Sequence, residues 1–424
     1  MSVSVAVRGD APVTNVTGLV CRECGHTVPL AAEHVCALCF GPLELAYDYD
    51  VLRATVTKQR ISDGPQSLWR YKDLLPQFGA MAENQIDLGT GFSPLRRAPR
   101  LAAALGLDEL WIKDDTRNPS GSFKDRVVTI ALTAAKTLGI DTIACASTGN
   151  LANSVAAHAA AAGMNAYVFI PKDLESSKII GSAVYGANVI AVDGNYDDVN
   201  RLAAEVADTT GWGFVNINLR AFYAEGSKTI GFEIAEQLGW TLPDHVVVPL
   251  ASGAMYVKID RAFRLLRELG LVTDAQPRMT GAQATGCSPI AEAFNRGSFD
   301  IRPQRPDTIA RSLAIGNPAD GYYALKTAQE TGGVIADCDD DEIREGMRLL
   351  ATTEGIFAET AGGVTIATLK NLVASGAIHR NERTVAVISG NGYKTAETLS
   401  STLGPTHTVK PSLSDFLALK PVSA

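Results

Sequence analysis

The stretch Asn118-Pro119-Ser120-Gly121-Ser122-Phe123-Lys124-Asp125-Arg126 decides how this chain is read. Pro119, Ser120 and Gly121 are turn formers, and Ser122 is a candidate helix N-cap. Leu110 to Lys113 reads as a strand just upstream. Downstream, Val127, Val128, Ile130, Ala131, Ala134 and Ala135 recur at helical spacing. Lys124 is therefore expected in the first turn of a helix, beside the positive end of its dipole. An ammonium group loses its proton more readily there. A lysine held as the free amine is a nucleophile toward carbonyls. These residues alone leave open an ordinary surface Lys-Asp-Arg helix start.

Three further stretches share one design. Ser147-Thr148-Gly149-Asn150 follows the apolar run Thr142 to Ala146 and opens an alanine-rich helix. Pro249-Leu250-Ala251-Ser252-Gly253-Ala254-Met255 follows Val246-Val247-Val248, and Ile388-Ser389-Gly390-Asn391-Gly392 follows Thr384 to Val387. Each is a strand and then a turn of small residues, which presents backbone N–H groups to an anion. More strands are expected near Ala166–Ile170, Asn188–Val192, Gly213–Asn216 and His245–Val248, with helical periodicity between them, as at Val199 to Ala207. This α/β alternation implies βαβ units and a parallel twisted sheet with helices on both faces. Ligands of such sheets bind outside the carboxyl ends of the strands, where all four loops fall.

Together the four stretches resemble the β-family (fold type II) of pyridoxal-phosphate (PLP) enzymes, and within it the threonine synthase group. The resemblance runs from Cys21 to about Glu397. It implies a tryptophan-synthase-β-like fold of two doubly wound α/β domains with the cofactor between them. A large domain would comprise residues 48–143 plus 227–400, and a small one residues 144–226. Residues 401–424 would form a tail that packs loosely or contacts a partner subunit. Lys124 matches the family's Schiff-base lysine, which also carries protons. Asn150 matches the asparagine that hydrogen-bonds the cofactor's phenolic oxygen. Ser147, Thr148 and Gly149 would meet the substrate carboxylate, with helix capping the alternative for the two hydroxyls. Ala251, Ser252, Gly253, Ala254 and Met255 match the phosphate loop, without the asparagine common after its first glycine. Ser389 matches the residue facing the pyridine nitrogen, where threonine synthases usually carry threonine. A hydroxyl there does not force ring protonation, which suits elimination and replacement at Cβ or Cγ better than transamination.

The same resemblance implies conversion of O-phospho-L-homoserine and water to L-threonine and phosphate. Asn218, Arg220 and Lys228 are candidates for the substrate phosphate, Arg220 foremost because guanidinium binds phosphate bidentately. Tyr223 stands where the group usually has arginine, and a structural arginine or a dimer contact is the rival reading of Arg220. Gly89 to Leu95 would line the site entrance, with Ser93 in place of the usual threonine. Thr308 to Pro318 would form a loop over the site, and Glu354 to Glu359 would lie near the cofactor edge. Another replacement or elimination enzyme on this scaffold is the alternative: cysteate-synthase-like, a serine/threonine dehydratase, or a pathway-specific paralogue. A zinc-ribbon binding protein with an inactive body is a third reading, opposed by the intact Lys124, Asn150 and Ser389. His158 and His245 lack chemical context and read as core or surface residues.

Cys21, Cys24, Cys36 and Cys39 form C-x2-C-x11-C-x2-C, while Cys145, Cys287 and Cys338 are isolated. Two such pairs can give four thiolates to a tetrahedral zinc ion, with disulfides as the rival reading. Gly25 and Gly41 are placed for turns beneath a metal. Residues 1–47 are thus expected to be a zinc-ribbon module, structural because no coordination position stays open. Relatives of threonine synthase often carry one. His26 and His34 are surplus to four cysteines and read as surface residues. The 424 residues exceed one typical core. A net charge of -8 supplies no basic surface for nucleic acid. The apolar window Leu151 to Ile170 contains Asn153, His158 and Asn165 and reads as buried helix plus strand, not a membrane span. The first twenty residues hold one arginine and no long apolar core, so a cytoplasmic location is expected. The resemblance implies a homodimer acting on a small amino acid.

Overall fold

A computed structural model describes residues 14–172, 176–194, 196–400 and 403–419. The chain opens with β1 (Val16–Cys21), β2 (Thr27–Val28) and β3 (Leu43–Tyr47), an antiparallel sheet in the order β2-β1-β3. A large sheet begins with β4 (Leu95–Arg97) and β5 (Leu110–Asp114). The chain then leaves it for a small sheet made of β6 (Thr142–Ala146), β7 (Asn165–Pro171), β8 (Asn188–Val192) and β9 (Gly213–Phe214). It returns with β10 (His245–Pro249), β11 (Arg278–Ala284), β12 (Ile335–Cys338) and β13 (Thr384–Ile388). The large sheet runs β12-β11-β10-β13-β5-β4, parallel except for the edge strand β4. The small sheet runs β8-β7-β6-β9 and is wholly parallel.

Every residue of β6, β10 and β13 is buried. Their apolar runs do not alternate, because a parallel sheet covered by helices has no wet face. The expected β9 is cut to Gly213–Phe214, since Asn218 draws the chain into a turn there by accepting from the Phe214 N–H at 2.8 Å and donating to the Trp212 carbonyl at 2.9 Å. The helix expected at Val199 to Ala207 extends over Tyr196–Thr210. The small sheet starts at Thr142, so the boundary expected at residue 144 falls within β6. Among the described residues no helix is long and apolar enough to cross a membrane. His158 and His245 are both core residues. Burial pushes the His245 imidazole down to about 3, with Arg278 adding to the effect.

The N-terminal sheet is not a separate bead. Val16 and Leu19 of β1 share one apolar core with Val128 and Leu132 of the Lys124–Thr137 helix and with Ile143 of β6. A second, ionic link fixes the start of that helix. Arg126 is fully buried and donates to both oxygens of Asp115, each at 2.7 Å, to Glu233, and to Thr229 at 2.8 Å. Lys113 of β5 reaches Glu233 at 2.5 Å and the Ser93 carbonyl at 2.6 Å. Two cations therefore face two carboxylates, all out of water.

Removing one member of such a set strands its partners in a medium that cannot solvate them, at about 3–5 kcal/mol. Arg126→Met is expected to lower unfolding free energy by that amount in denaturant titration. A loss below about 1 kcal/mol would refute the claim that this set anchors the helix.

Candidate active site

Lys124 is the first helical residue of Lys124–Thr137, as expected, but Ser122 is not its cap. Phe123 occupies the cap position without a side-chain bond, and Ser122 Oγ accepts only a long 3.4 Å bond from the Lys124 N–H. Ser122 is used differently, pairing with Gly390 in an isolated antiparallel bridge. Beside it, the Phe123 N–H donates to the Ser389 carbonyl at 2.8 Å and the Asn391 N–H to the Gly121 carbonyl at 2.9 Å. These two hydrogen bonds, which make up the bridge, zip the lysine turn to the loop after β13. Lys124 Nζ donates to the Tyr223 hydroxyl at 2.8 Å and lies 4.7 Å from the centre of the Phe123 ring.

Asn150 and Ser389 meet at one acceptor. Asn150 Nδ2 donates to Glu359 Oε2 at 2.8 Å, and Ser389 Oγ donates to Glu359 Oε1 at 3.3 Å. Glu359 is buried, and burial pushes its carboxyl up while the Asn150 bond opposes the shift. Its backbone N–H donates to the Gly390 carbonyl at 3.0 Å, and a side chain at Gly390 would strike its carboxylate. Glu359 and Tyr223 are the residues that sequence reasoning missed as site groups. The signals were that Tyr223 stands where the group usually has arginine and that Glu359 ends the stretch expected near the cofactor edge.

The loop Ala251–Met255 turns at Gly253, whose φ of 107° only glycine adopts without strain. A Cβ there would lie 2.8 Å from the Asp320 carbonyl oxygen. The Asp320 N–H donates to the Ser252 carbonyl at 2.9 Å. The helix Ala254–Glu268 begins directly afterwards with no side-chain cap, so its first N–H groups remain open to an anion. Ser147 and Thr148 do not cap the helix Asn150–Ala162 either, since Gly149 holds that position and Ser147 Oγ accepts only a long 3.4 Å bond from the Gly149 N–H.

The three residues considered for a second phosphate are dispersed. Asn218 spends both side-chain atoms on the turn after β9. Lys228 is buried against Glu225 at 2.5 Å. Arg220 pairs with Asp320 and lines, with His34 and Tyr322, a cleft of about 470 Å³ between the N-terminal sheet and the body. Arg311 and Leu313 of the Thr308 to Pro318 loop lie in a short 3-10 turn, anchored nearby by Thr308 Oγ1, which donates to Asp340 at 2.6 Å.

Sγ atoms of Cys21, Cys24, Cys36 and Cys39 all lie within 4.8 Å of one another. The Cys21–Cys39 and Cys24–Cys36 separations of 3.4 and 3.7 Å are too long for disulfides, and all seven cysteines are free. They approach the ~3.8 Å edge of a tetrahedron of thiolates around a zinc ion. Gly25 takes a positive φ of 73° in the first turn, but Phe40 (φ 59°), not Gly41, does so in the second. Gly41 makes room for a sulfur, since a Cβ there would lie 2.9 Å from Cys21 Sγ.

A lysine opening a helix, an anion-ready loop at Gly253 and paired Asn150 and Ser389 all gather at the carboxyl ends of parallel strands. The family described as pyridoxal-phosphate dependent enzyme matches residues 86–390, and the chain belongs to it. Its relatives narrow the class. Threonine synthase of Methanocaldococcus jannaschii is 38% identical over 377 residues, covering 88% of this chain and 92% of its own length. That of Methanosarcina acetivorans is 35% identical over 384 residues, covering 90% and 93%. The chain is a member of the threonine synthase family. Among solved structures, threonine deaminase isoform 2 from Solanum lycopersicum superposes with a TM-score of 0.61 at 22% identity, over 72% of this chain and 82% of that one. Diaminopropionate ammonia lyase from Escherichia coli gives 0.62 at 20%, over 75% and 90%. Both likenesses concern the fold alone.

Proposed function

We propose that this protein is a PLP-dependent lyase that makes L-threonine from O-phospho-L-homoserine and water, releasing phosphate. The observation that carries the reading is the placement of Lys124, with its amine on the Tyr223 hydroxyl and its turn zipped to the Ser389 loop. The residues present fit the cofactor. Asn150 Nδ2 keeps a second hydrogen beyond the one given to Glu359, free for the phenolic oxygen. Ser389 would face the ring nitrogen, and residues 251–255 would take the phosphate on open N–H groups beside the Ser252 hydroxyl. When bound, the cofactor supplies an aldehyde for the amino group and a ring that withdraws electrons from Cα.

This chain's own part is proton handling and placement. Lys124 Nζ takes the Cα proton and then assists removal of a Cβ proton as phosphate departs from Cγ. Tyr223 holds that amine on one side of the site between moves. Ser147 and Thr148, uncommitted to helix capping, would bind the substrate carboxylate. Of the candidates for the leaving phosphate, Asn218 and Lys228 have their polar atoms engaged within the fold. Arg220 also pairs with Asp320, but it is part-exposed and its guanidinium keeps further N–H donors, so it is the favoured one. A large domain and a small one, the latter opening at Thr142 with β6 rather than at residue 144, belong to the same reading, as do a cytoplasmic location and a homodimer. Tyr223 in place of the usual arginine favours, as a second reading, an activated amino acid other than O-phosphohomoserine.

Lys124→Ala is expected to lose both the visible cofactor absorbance and threonine formation. A yellow mutant that still turns over would refute the assignment, and O-phosphoserine as the better substrate would favour the second reading. Arg220→Ala should raise the KM for O-phosphohomoserine about tenfold, the scale of one charge-assisted hydrogen bond. An unchanged KM would remove Arg220 from the phosphate site. The four cysteines would hold a structural zinc ion. Metal analysis should find about one zinc per chain, the capacity of one four-thiolate site. That zinc should be lost when Cys36 and Cys39 are both changed to serine.

A further inference from the structure

Two grips run from the cysteine module to the loop at Ser252–Gly253, read above as the seat of the cofactor phosphate. Arg22 lies in the turn between Cys21 and Cys24, with its side chain 9% exposed. Its guanidinium carbon sits 3.4 Å from the centre of the Tyr323 ring, and its NH1 lies 3.5 Å from Glu44 and 3.9 Å from Asp320 Oδ1. Asp320 is the residue packed on the loop: its N–H bonds the Ser252 carbonyl, and its own carbonyl blocks any side chain at Gly253. The second grip comes from β3. Glu44 pairs with Lys258 Nζ at 2.9 Å, and Lys258 also donates to Glu225 at 2.7 Å. Lys258 belongs to the helix Ala254–Glu268, whose N-terminus is the far side of the same loop.

The loop is thus held on both flanks by one module, from a knuckle at Arg22 and a strand at Glu44. The charges are ordered to suit an anion. A carboxylate beside an anion site repels its occupant unless it is neutralised. Asp320 has Arg22 on one oxygen and Arg220 on the other.

We propose that Arg22 and Glu44 are positioning residues through which the cysteine module holds the Ser252–Gly253 loop in its phosphate-binding shape. The module then does more than cap the fold: its metal-bearing turn sets the affinity for the phosphate of the cofactor. The inference rests on that loop being the phosphate seat.

The test compares two ligands that share a ring and differ by one phosphate. The dissociation constants of pyridoxal phosphate and of pyridoxal are measured on the full-length, zinc-loaded chain and on Arg22→Gln, Arg22→Lys, Glu44→Gln and Gly253→Ala. Arg22→Gln and Glu44→Gln are expected to weaken pyridoxal phosphate about tenfold, as for one lost charge-assisted contact, and to leave pyridoxal within about twofold. Arg22→Lys should recover part of the loss, because it keeps the charge. Removing zinc from the full chain should move the two constants in the same unequal way. If Arg22→Gln does not fold, Glu44→Gln carries the comparison. Equal weakening of both ligands would mean general loosening and would overturn the proposal. So would weakening by Gly253→Ala alone, which would leave the loop reading standing. If Gly253→Ala weakens neither ligand, the loop is not the phosphate seat and both readings fall.

Discussion

Arg126 between Asp115 and Glu233, with Lys113 on the far side of Glu233, is the interaction on which the placement of the Lys124 turn depends. All four side chains are fully buried, so each would be costly alone. They are tolerable together because the formal charges cancel and the remaining lone pairs are filled. Glu233 also accepts from the Phe92 N–H at 2.7 Å and the Ser93 N–H at 3.1 Å, and Ser93 Oγ donates to Asp115 at 2.6 Å. Burial pushes the Glu233 carboxyl up, yet Arg126 and Lys113 outweigh it and hold it at about 2. The set ties β5, the lysine-bearing helix, the helix Lys228–Gln237 and the Gly89 to Leu95 loop to one point. The lysine turn inherits that rigidity.

The second charged cluster is built on another plan. Lys228, Glu225, Lys258, Glu44, Arg22, Asp320 and Arg220 alternate in sign along a line of contacts that leaves the core and ends at the part-exposed Arg220. Burial raises Glu225 and Glu44, but Lys228 with Lys258, and Lys258 with Arg22, bring each down to about 2. The Tyr47 hydroxyl donates to Glu225 at 2.6 Å, adding a second residue of β3 to the join. The first cluster is a closed knot within the body. The second is a seam across which the cysteine module is attached.

The sheets were legible because parallel strands covered on both faces read as short apolar runs. Thr142 to Ala146 and Thr384 to Val387 each announce a strand without help from the rest of the chain. The anion-ready loops were legible for a related reason, since small residues at a strand's end have a local cause. What stayed hidden is what joins distant segments. Tyr223 lies 99 residues from Lys124, and Asn150 lies 209 residues from Glu359. Arg22 and Glu44 sit among cysteines whose spacing fully explains the module, so nothing marked them as partners of Asp320 and Lys258. Ser122 shows the opposite error. A serine before a helical pattern is a sound cap signal, but the segment had a tertiary use for it at Gly390.

Lys124, Asp125 and Arg126 show how a lysine can be held at a boundary between two bodies. Successive residues on a helix point about 100° apart, so three in a row cannot share a face. Arg126 goes to Glu233 and the large sheet's side. Asp125 goes the other way, accepting from Ser154 Oγ at 2.6 Å on the helix after β6, and from Ser120 N–H and Oγ at 2.7 and 2.6 Å. Both are fully buried, and each is fixed to a different sheet's layer. Lys124 takes the direction left over, toward Tyr223 and the space between them. Asp125, held by two hydroxyls and an N–H, and Arg126, held by two carboxylates, fix the helical turn that carries the amine. The Asp and Arg that follow it, which as sequence look like an ordinary charged helix start, are what aim the lysine.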